Sequence, residues 1–471
     1  MNPPLFQQVQ TRLRGLSGRS RAVGLFFGTS LAARVVGISC QLIQVPIAMS
    51  VLGTEAFGLW MTLTGIGYMI TFADFGLGQG AQNKLAEAFA AGDDARAREL
   101  WSATLACFGL IGAVLAVAAV GVAERIDPAA LFNLVDPAVR AQAPAAVAVT
   151  LLLFCLNFPL GLAQRLAYSR QQGWMHNISL AAGGVGALGG IVLAAHRHWG
   201  LPGIIAATLV PLLLANAVLL VIQLAQLGWL DFRLPRCRRA TLRELFGLGA
   251  YFGVQQLQLI IMLALPQVVI STTLGAAAVT PYNLAQRLFN LFAVIQNAFM
   301  LPLWPAYSDA LAKGEFAWIR RTLFRSLAAT LLLTLAPMAL GAAFARPVLT
   351  AWIGASHAAD LPSTALIWLL FLWNALVFVQ QPFGYLLAGM SEVRRVTFYA
   401  VVSTAASSVL MFLLAHRRGP EGVVLGMAVG YLPFLLLGNV AETVRVFRAM
   451  PDRRAAEPAL IPSPSIAEGR P

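Results

Sequence analysis

The sequence predicts an all-α polytopic membrane protein with about twelve transmembrane helices in two pseudo-symmetric six-helix lobes. Three observations carry that expectation. The chain has 471 residues, 58% hydrophobic and 11% charged, whereas soluble domains carry roughly a quarter charged residues. Its apolar residues fall in runs long enough to cross a bilayer, which takes about 20 residues at a rise of about 1.5 Å each. The chain also matches itself at an offset of 222 residues.

The apolar runs lie near 22–52, 57–75, 100–123, 144–166, 174–196, 203–228, 244–274, 279–305, 322–345, 362–388, 395–415 and 420–444. Basic residues are retained on the cytoplasmic side of such proteins. Twenty-five Lys and Arg fall before the first run, in the even-numbered loops or in the tail, against six in the odd-numbered loops. Both termini are therefore expected to be cytoplasmic. The first run is too long for a cleaved signal peptide and is expected to act as an uncleaved anchor. The +13 net charge is spread over these loops, which fits topology and contact with anionic lipid and calls for no nucleic-acid module. The four cysteines have neither disulfide nor metal spacing, and no cofactor is expected.

The offset of 222 places Leu52-Gly53 on Leu274-Gly275 and Gly92 on Gly314 without a gap. A second match pairs AAHRHWGLPGII (194–205) with LAHRRGPEGVV (414–424). Each copy holds six runs, so the copies share one orientation, the parallel type of transporter repeat. The expected organisation is a cytoplasmic segment 1–21, a first lobe 22–228, an arginine-rich linker 229–243, a second lobe 244–447 and a polar, proline-rich tail 448–471. The tail has the composition of a disordered segment.

The stretch ADFGLGQGAQNKLAEAFAAGD, 73–93, contains Asp-Phe-Gly and a glycine spacing reminiscent of phosphate loops. A kinase reading fails because no catalytic-loop His-Arg-Asp accompanies it. The glycines instead mark where the second run leaves the bilayer and turns into an amphipathic helix. Asp74 either pins that turn or serves as a coupling carboxylate.

The block VLGTEAFGLWMTLTGIGYMITFADFGLGQGAQNKLAE, 51–87, resembles the amino-terminal signature of bacterial polysaccharide or O-antigen flippases. These belong to the multidrug/oligosaccharidyl-lipid/polysaccharide exporter superfamily. The resemblance rests on Leu52-Gly53, Phe57 to Trp60 and Asp74 to Gly78. It implies translocation of undecaprenyl-pyrophosphate-linked oligosaccharide across the bacterial cytoplasmic membrane by two six-helix lobes around a central cavity, rocking between inward- and outward-open states. The implied partners are that substrate, membrane lipids and, in assembly, a polysaccharide polymerase or glycosyltransferases.

Charged groups at bilayer depth face a cavity or a partner. Ser30, Arg34, Gly37, Gln41 and Gln44 form one polar stripe on the first run, and Asn283, Arg287, Asn290 and Asn297 repeat its spacing on the eighth. The seventh run adds Gln255, Gln256 and Gln258, with Gln256 at the repeat position of Arg34. Arg34 and Arg287 are the candidates for the pyrophosphate, since guanidinium offers a planar set of donors matched to phosphate oxygens. The amides are candidates for sugar hydroxyls. The competing reading makes both arginines structural, bonded to neighbouring carbonyls or snorkelling to headgroups. Prolines such as Pro46 and Pro382 interrupt the runs, as static bends or as kinks for rocking.

Three other functions stay open on the sequence. A multidrug cation antiporter of the same superfamily would bury carboxylates, whereas the deepest charges here are arginines. A peptidoglycan lipid-precursor flippase typically adds two spans beyond twelve. A non-transporting scaffold would have little use for polar interior stripes. No nucleophile-base or metal constellation points to an enzyme.

Overall fold

In the computed structural model of the chain, residues 18–71, 74, 76–229, 257–258, 260–300, 302–390 and 393–449 are described. Gln255, Gln256, nearly all of the expected linker and the tail beyond 449 lie outside the described residues.

The regular structure among the described residues is helical throughout. Eight helices there are long and apolar enough to cross a membrane. Two of these are bent near their middle: Gly18–Thr71 at Gly53, and Val393–Tyr431 at Gly419, before the chain continues helically to Ala449. Each bent element accounts for two of the expected runs. Ile260–Leu274 and Val279–Met300 supply the seventh and eighth, so the twelve runs read from the sequence each find a helix.

Helix starts follow local chemistry. Asp93, Asp127 and Asp136 accept from the backbone N–H of Arg96, Ala129 and Ala138, and Ser363 accepts from Leu366. Such caps satisfy donors that a first turn leaves open. Pro128 and Pro137 stand in first turns, where a missing N–H costs nothing.

The repeat is visible in the backbone. Gly53 has φ 71° and ψ 178°, and its counterpart Gly275 has φ 93° and ψ 156°, a region open essentially to glycine alone. Gly92 and Gly314, also 222 apart, have φ 68° and 69°. Side chains one offset apart are buried in matching satellite cores. Leu85, Ala88, Ala97 and Trp101 pack beneath the amphipathic helix Leu77–Ala91, and Tyr307, Ala310, Ile319 and Leu323 pack beneath Leu303–Ala312. A third, larger cluster joins both halves of the chain, from Val45 and Phe57 to Val279, Phe289 and Leu370.

Candidate functional site

The halves meet at the end of the molecule marked by Gly53 and Gly275. A Cβ placed on Gly58 would lie 1.8 Å from the Ala276 carbonyl oxygen, so only glycine permits this approach of two backbones. Thr280 Oγ1 donates to the Thr54 carbonyl at 2.8 Å, the Ala276 N–H to the Phe132 carbonyl at 3.1 Å, and Asn133 Nδ2 to the Thr272 carbonyl at 2.7 Å. Glu55 holds the 132–136 segment in place by accepting from the N–H of Val135 and Asp136 at 2.6 and 2.8 Å. One side-chain pair also crosses the seam: Thr54 Oγ1 donates to Asp360 Oδ1 at 2.6 Å, while Asp360 Oδ2 lies 3.1 Å from His357 Nδ1.

Deeper along the seam, prolines supply acceptors. Proline cannot donate to the carbonyl four residues earlier, and Pro46 therefore leaves the Leu42 carbonyl open. Trp352 Nε1 donates to that oxygen at 2.8 Å from the opposite half. Pro382 likewise leaves the Phe378 carbonyl open, and buried Gln296 donates to it at 3.2 Å. Gln296 also donates to Thr330 at 3.1 Å and accepts from Thr334 at 2.8 Å, both in the π-helical turn Thr330–Leu335.

Arg287 sits between the halves. Its Nη1 donates to the Gln41 carbonyl and its Nη2 to the Met61 sulfur, both at 3.3 Å. Guanidinium has five N–H donors, so these two long contacts leave most of its capacity uncommitted. Exposed Tyr68 is close enough to interact with it electrostatically. Arg34, Gln41 and Asn290 are exposed, while Gln44, Gln258 and Asn297 are partly buried. No carboxylate of a described residue pairs with Arg34 or Arg287.

Asn283 is placed differently from the rest of its stripe: it is buried and donates to the Val279 carbonyl of its own helix at 3.2 Å. Asp74 forms a turn, its carboxylate accepting from the N–H of Gly78 at 3.0 Å and Gly76 at 3.3 Å. Arg165 interacts with it and donates to Gln79 at 2.8 Å. The other buried carboxylate among the described residues, Glu442, is held by Arg395 and Arg445.

Sequence reasoning missed Gln286 and Tyr68. Gln286 Nε2 donates to Asn290 at 3.0 Å and reaches Asn374 at 3.4 Å, tying the eighth run to the tenth. It lies one residue off the stripe spacing, and only its adjacency to Arg287 could have drawn attention to it. Gln296, at the repeat position of Asp74, was equally hidden inside an apolar run.

Two helical halves joined at one end, with an arginine-bearing polar surface between them, define a multi-pass membrane protein of the helical transporter class. The family model for polysaccharide biosynthesis proteins matches residues 27–311, and the chain belongs to that family. A putative O-antigen transporter of Salmonella typhi is 22% identical over 305 residues, 64% of this chain and 68% of that protein. Among solved structures, an inward-facing conformation of a multidrug resistance MATE family transporter of the MOP superfamily aligns with a TM-score of 0.76 at 16% identity, covering 89% of this chain and 98% of that one. An outward-facing conformation of such a transporter gives 0.59 at 17% identity, covering 90% and 96%. The lipid II flippase MurJ in an inward closed conformation gives 0.68 at 13% identity, covering 90% and 89%.

Proposed function

We propose that this protein is a flippase that moves an undecaprenyl-pyrophosphate-linked oligosaccharide across the bacterial cytoplasmic membrane, for surface polysaccharide biosynthesis. The observation that carries the reading is Arg287, a cation between the two halves with donors to spare and no carboxylate partner among the described residues. An anionic headgroup would complete its coordination. A cation antiporter would need a receptive carboxylate, whereas buried Asp74 and Glu442 are both engaged by arginines. Membership of the polysaccharide biosynthesis family supports the cargo class.

The moving bodies are the lobes 22–228 and 244–447, joined by the linker 229–243, with both termini in the cytoplasm. That orientation puts the closed seam on the periplasmic side, so the conformation described is inward-facing; the better alignment with the inward-facing transporter supports this. The headgroup enters between the lobes from the cytoplasm, its pyrophosphate engages Arg287 and Arg34, and the amides at 41, 44, 255, 256, 258, 290 and 297 serve the sugars. Opening of the seam then releases the headgroup outward. The contacts of Asp74 support a turn-pinning role rather than ion coupling.

The test is the leaflet distribution of undecaprenyl-linked oligosaccharide, read with a membrane-impermeant glycosidase. Deletion is expected to leave an inaccessible pool that the intact gene clears. Losing a charge-assisted contact of about 1.5–3 kcal/mol should slow clearance by Arg287→Ala roughly 10- to 150-fold. Arg287→Lys, with the charge but not the planar fork, should be intermediate. An unchanged pool on deletion refutes the flippase reading; wild-type clearance by inserted Arg287→Ala refutes the arginine assignment.

A further inference from the structure

The second half contains a pocket of about 260 Å³ whose walls include Trp304, Gln380, Gln381, Gly384, Tyr385 and Val396. It is separate from the seam. The helix that carries Arg287 runs thirteen residues farther to Met300, roughly 20 Å at helical rise, and Trp304 stands on the next helix, Leu303–Ala312. We propose that this pocket is a carbohydrate subsite that takes one pyranose ring of the cargo; the inference rests on the reading that the cargo is an oligosaccharide.

A pyranose presents C–H faces that lie against aromatic rings and a rim of hydroxyls that must each find a partner. The pocket offers both. Trp304 is 45% exposed, so part of its ring is open at the pocket wall. Tyr385 is partly buried alongside. The two amides are left with opposite unmet needs. Gln380 Oε1 already accepts from Tyr431 at 3.2 Å, leaving its Nε2 to donate. Gln381 Oε1 is buried with no hydrogen-bond partner among the described residues, which leaves an acceptor unmet. A buried acceptor without a donor is costly, and turning the Gln381 amide into the pocket would let a ring hydroxyl supply that donor.

One further feature shapes the pocket. A Cβ on Gly384 would come within 2.9 Å of Gln380 Nε2, so any other residue would push that amide out of place. The volume fits a small guest: pockets for drug-sized ligands run roughly 300–1,000 Å³, and 260 Å³ leaves room for a single ring.

The test uses the full chain in lipid nanodiscs and saturation-transfer NMR with the methyl glycosides of glucose, galactose, mannose and N-acetylglucosamine. At least one is expected to receive saturation from the wild type, with the signal reduced tenfold or more in Gln381→Leu, Trp304→Leu and Gly384→Ala. Arg287→Ala, outside the pocket, should retain it. Melting profiles identify a variant that fails to fold, and Gln381→Glu, which keeps the acceptor, should bind where Gln381→Leu does not. If none of the four glycosides binds the wild type, or if folded pocket variants bind as well as it does, the subsite is refuted. So it is if Trp304 is quenched by brominated lipid tails that the glycosides do not displace, because an acyl chain then fills the pocket. These outcomes are independent of the leaflet assay, so failure of the subsite and failure of the flippase reading are separable.

Discussion

Replacing Gly58 by alanine should open the seam. The added Cβ would sit 1.8 Å from the Ala276 carbonyl oxygen and 2.8 Å from its carbon, where ordinary contact begins at 3.4 Å. The helix carrying Gly58 and the turn at Ala276 must therefore separate by about 1.6 Å, the shortfall between those two distances. Neither side is a flexible side-chain tip: one is helix backbone, the other a carbonyl whose own N–H is bonded across the seam to Phe132. Overpacking of this kind costs about 1–3 kcal/mol. If the strain is relieved by separating the halves, the balance between closed and open seam moves roughly 5- to 150-fold.

The assay is a spin-label distance between exposed Val135 in the first half and exposed Ala355 in the second, on a cysteine-free background. A longer-distance population should appear in Gly58→Ala. Gly37→Ala is the control, since a Cβ there meets nothing within 4 Å. A Gly58→Ala protein with the parental distance distribution and melting temperature would refute the argument, for it would mean that the two backbones are not in the contact described.

Other expectations follow from the same geometry. Gly53→Ala and Gly275→Ala should each destabilise by about 1–3 kcal/mol, the cost of holding a non-glycine residue in that backbone region, and thermal melting should show the two shifts to be similar. Thr54→Val and Asp360→Ala should each weaken seam closure. In a double-mutant cycle read by the same spin labels they should couple, by about 0.5–1.5 kcal/mol for the shared hydrogen bond. Gln296→Leu should lower the melting temperature by stranding the Phe378 carbonyl and the Thr334 hydroxyl, at about 1–3 kcal/mol per group left buried and unpaired, while Thr330 keeps its bond to the Ser326 carbonyl. A melting curve unchanged from the parent would show that those groups find other partners.

What the sequence disclosed was periodic or local. Apolar run length located the helices, and glycine at matched offsets located Gly53 and Gly275, because both signals lie within a few residues of the feature they specify. Stripe spacing found Arg287 but not its surroundings: the same spacing brought in Asn283, which turns back onto its own helix, and passed over Gln286. Contacts made between halves left no spacing to read. Thr54 meets Asp360 across 306 residues, and nothing local to Gly58 names Ala276 as the reason for it. The prolines were legible as interruptions, yet the sequence did not say that Trp352 and Gln296 would use the carbonyls they release. Nor did the leucine-rich stretch 330–335 betray its π-helical turn, since it has the composition of an ordinary apolar helix.

Five of the seven bonds described across the seam end on a main-chain oxygen, those of Gln41, Leu42, Thr54, Phe132 and Thr272; the other two end on the side chains of Asp360 and Met61. Main-chain oxygens are present whatever the residue, so substitutions at these five positions leave the acceptors in place. For these five bonds closure then depends on the donor side alone: the side chains of Arg287, Trp352, Thr280 and Asn133 and the N–H of Ala276. A lineage built this way can vary the acceptor positions of its closing surface while four donor side chains carry the constraint.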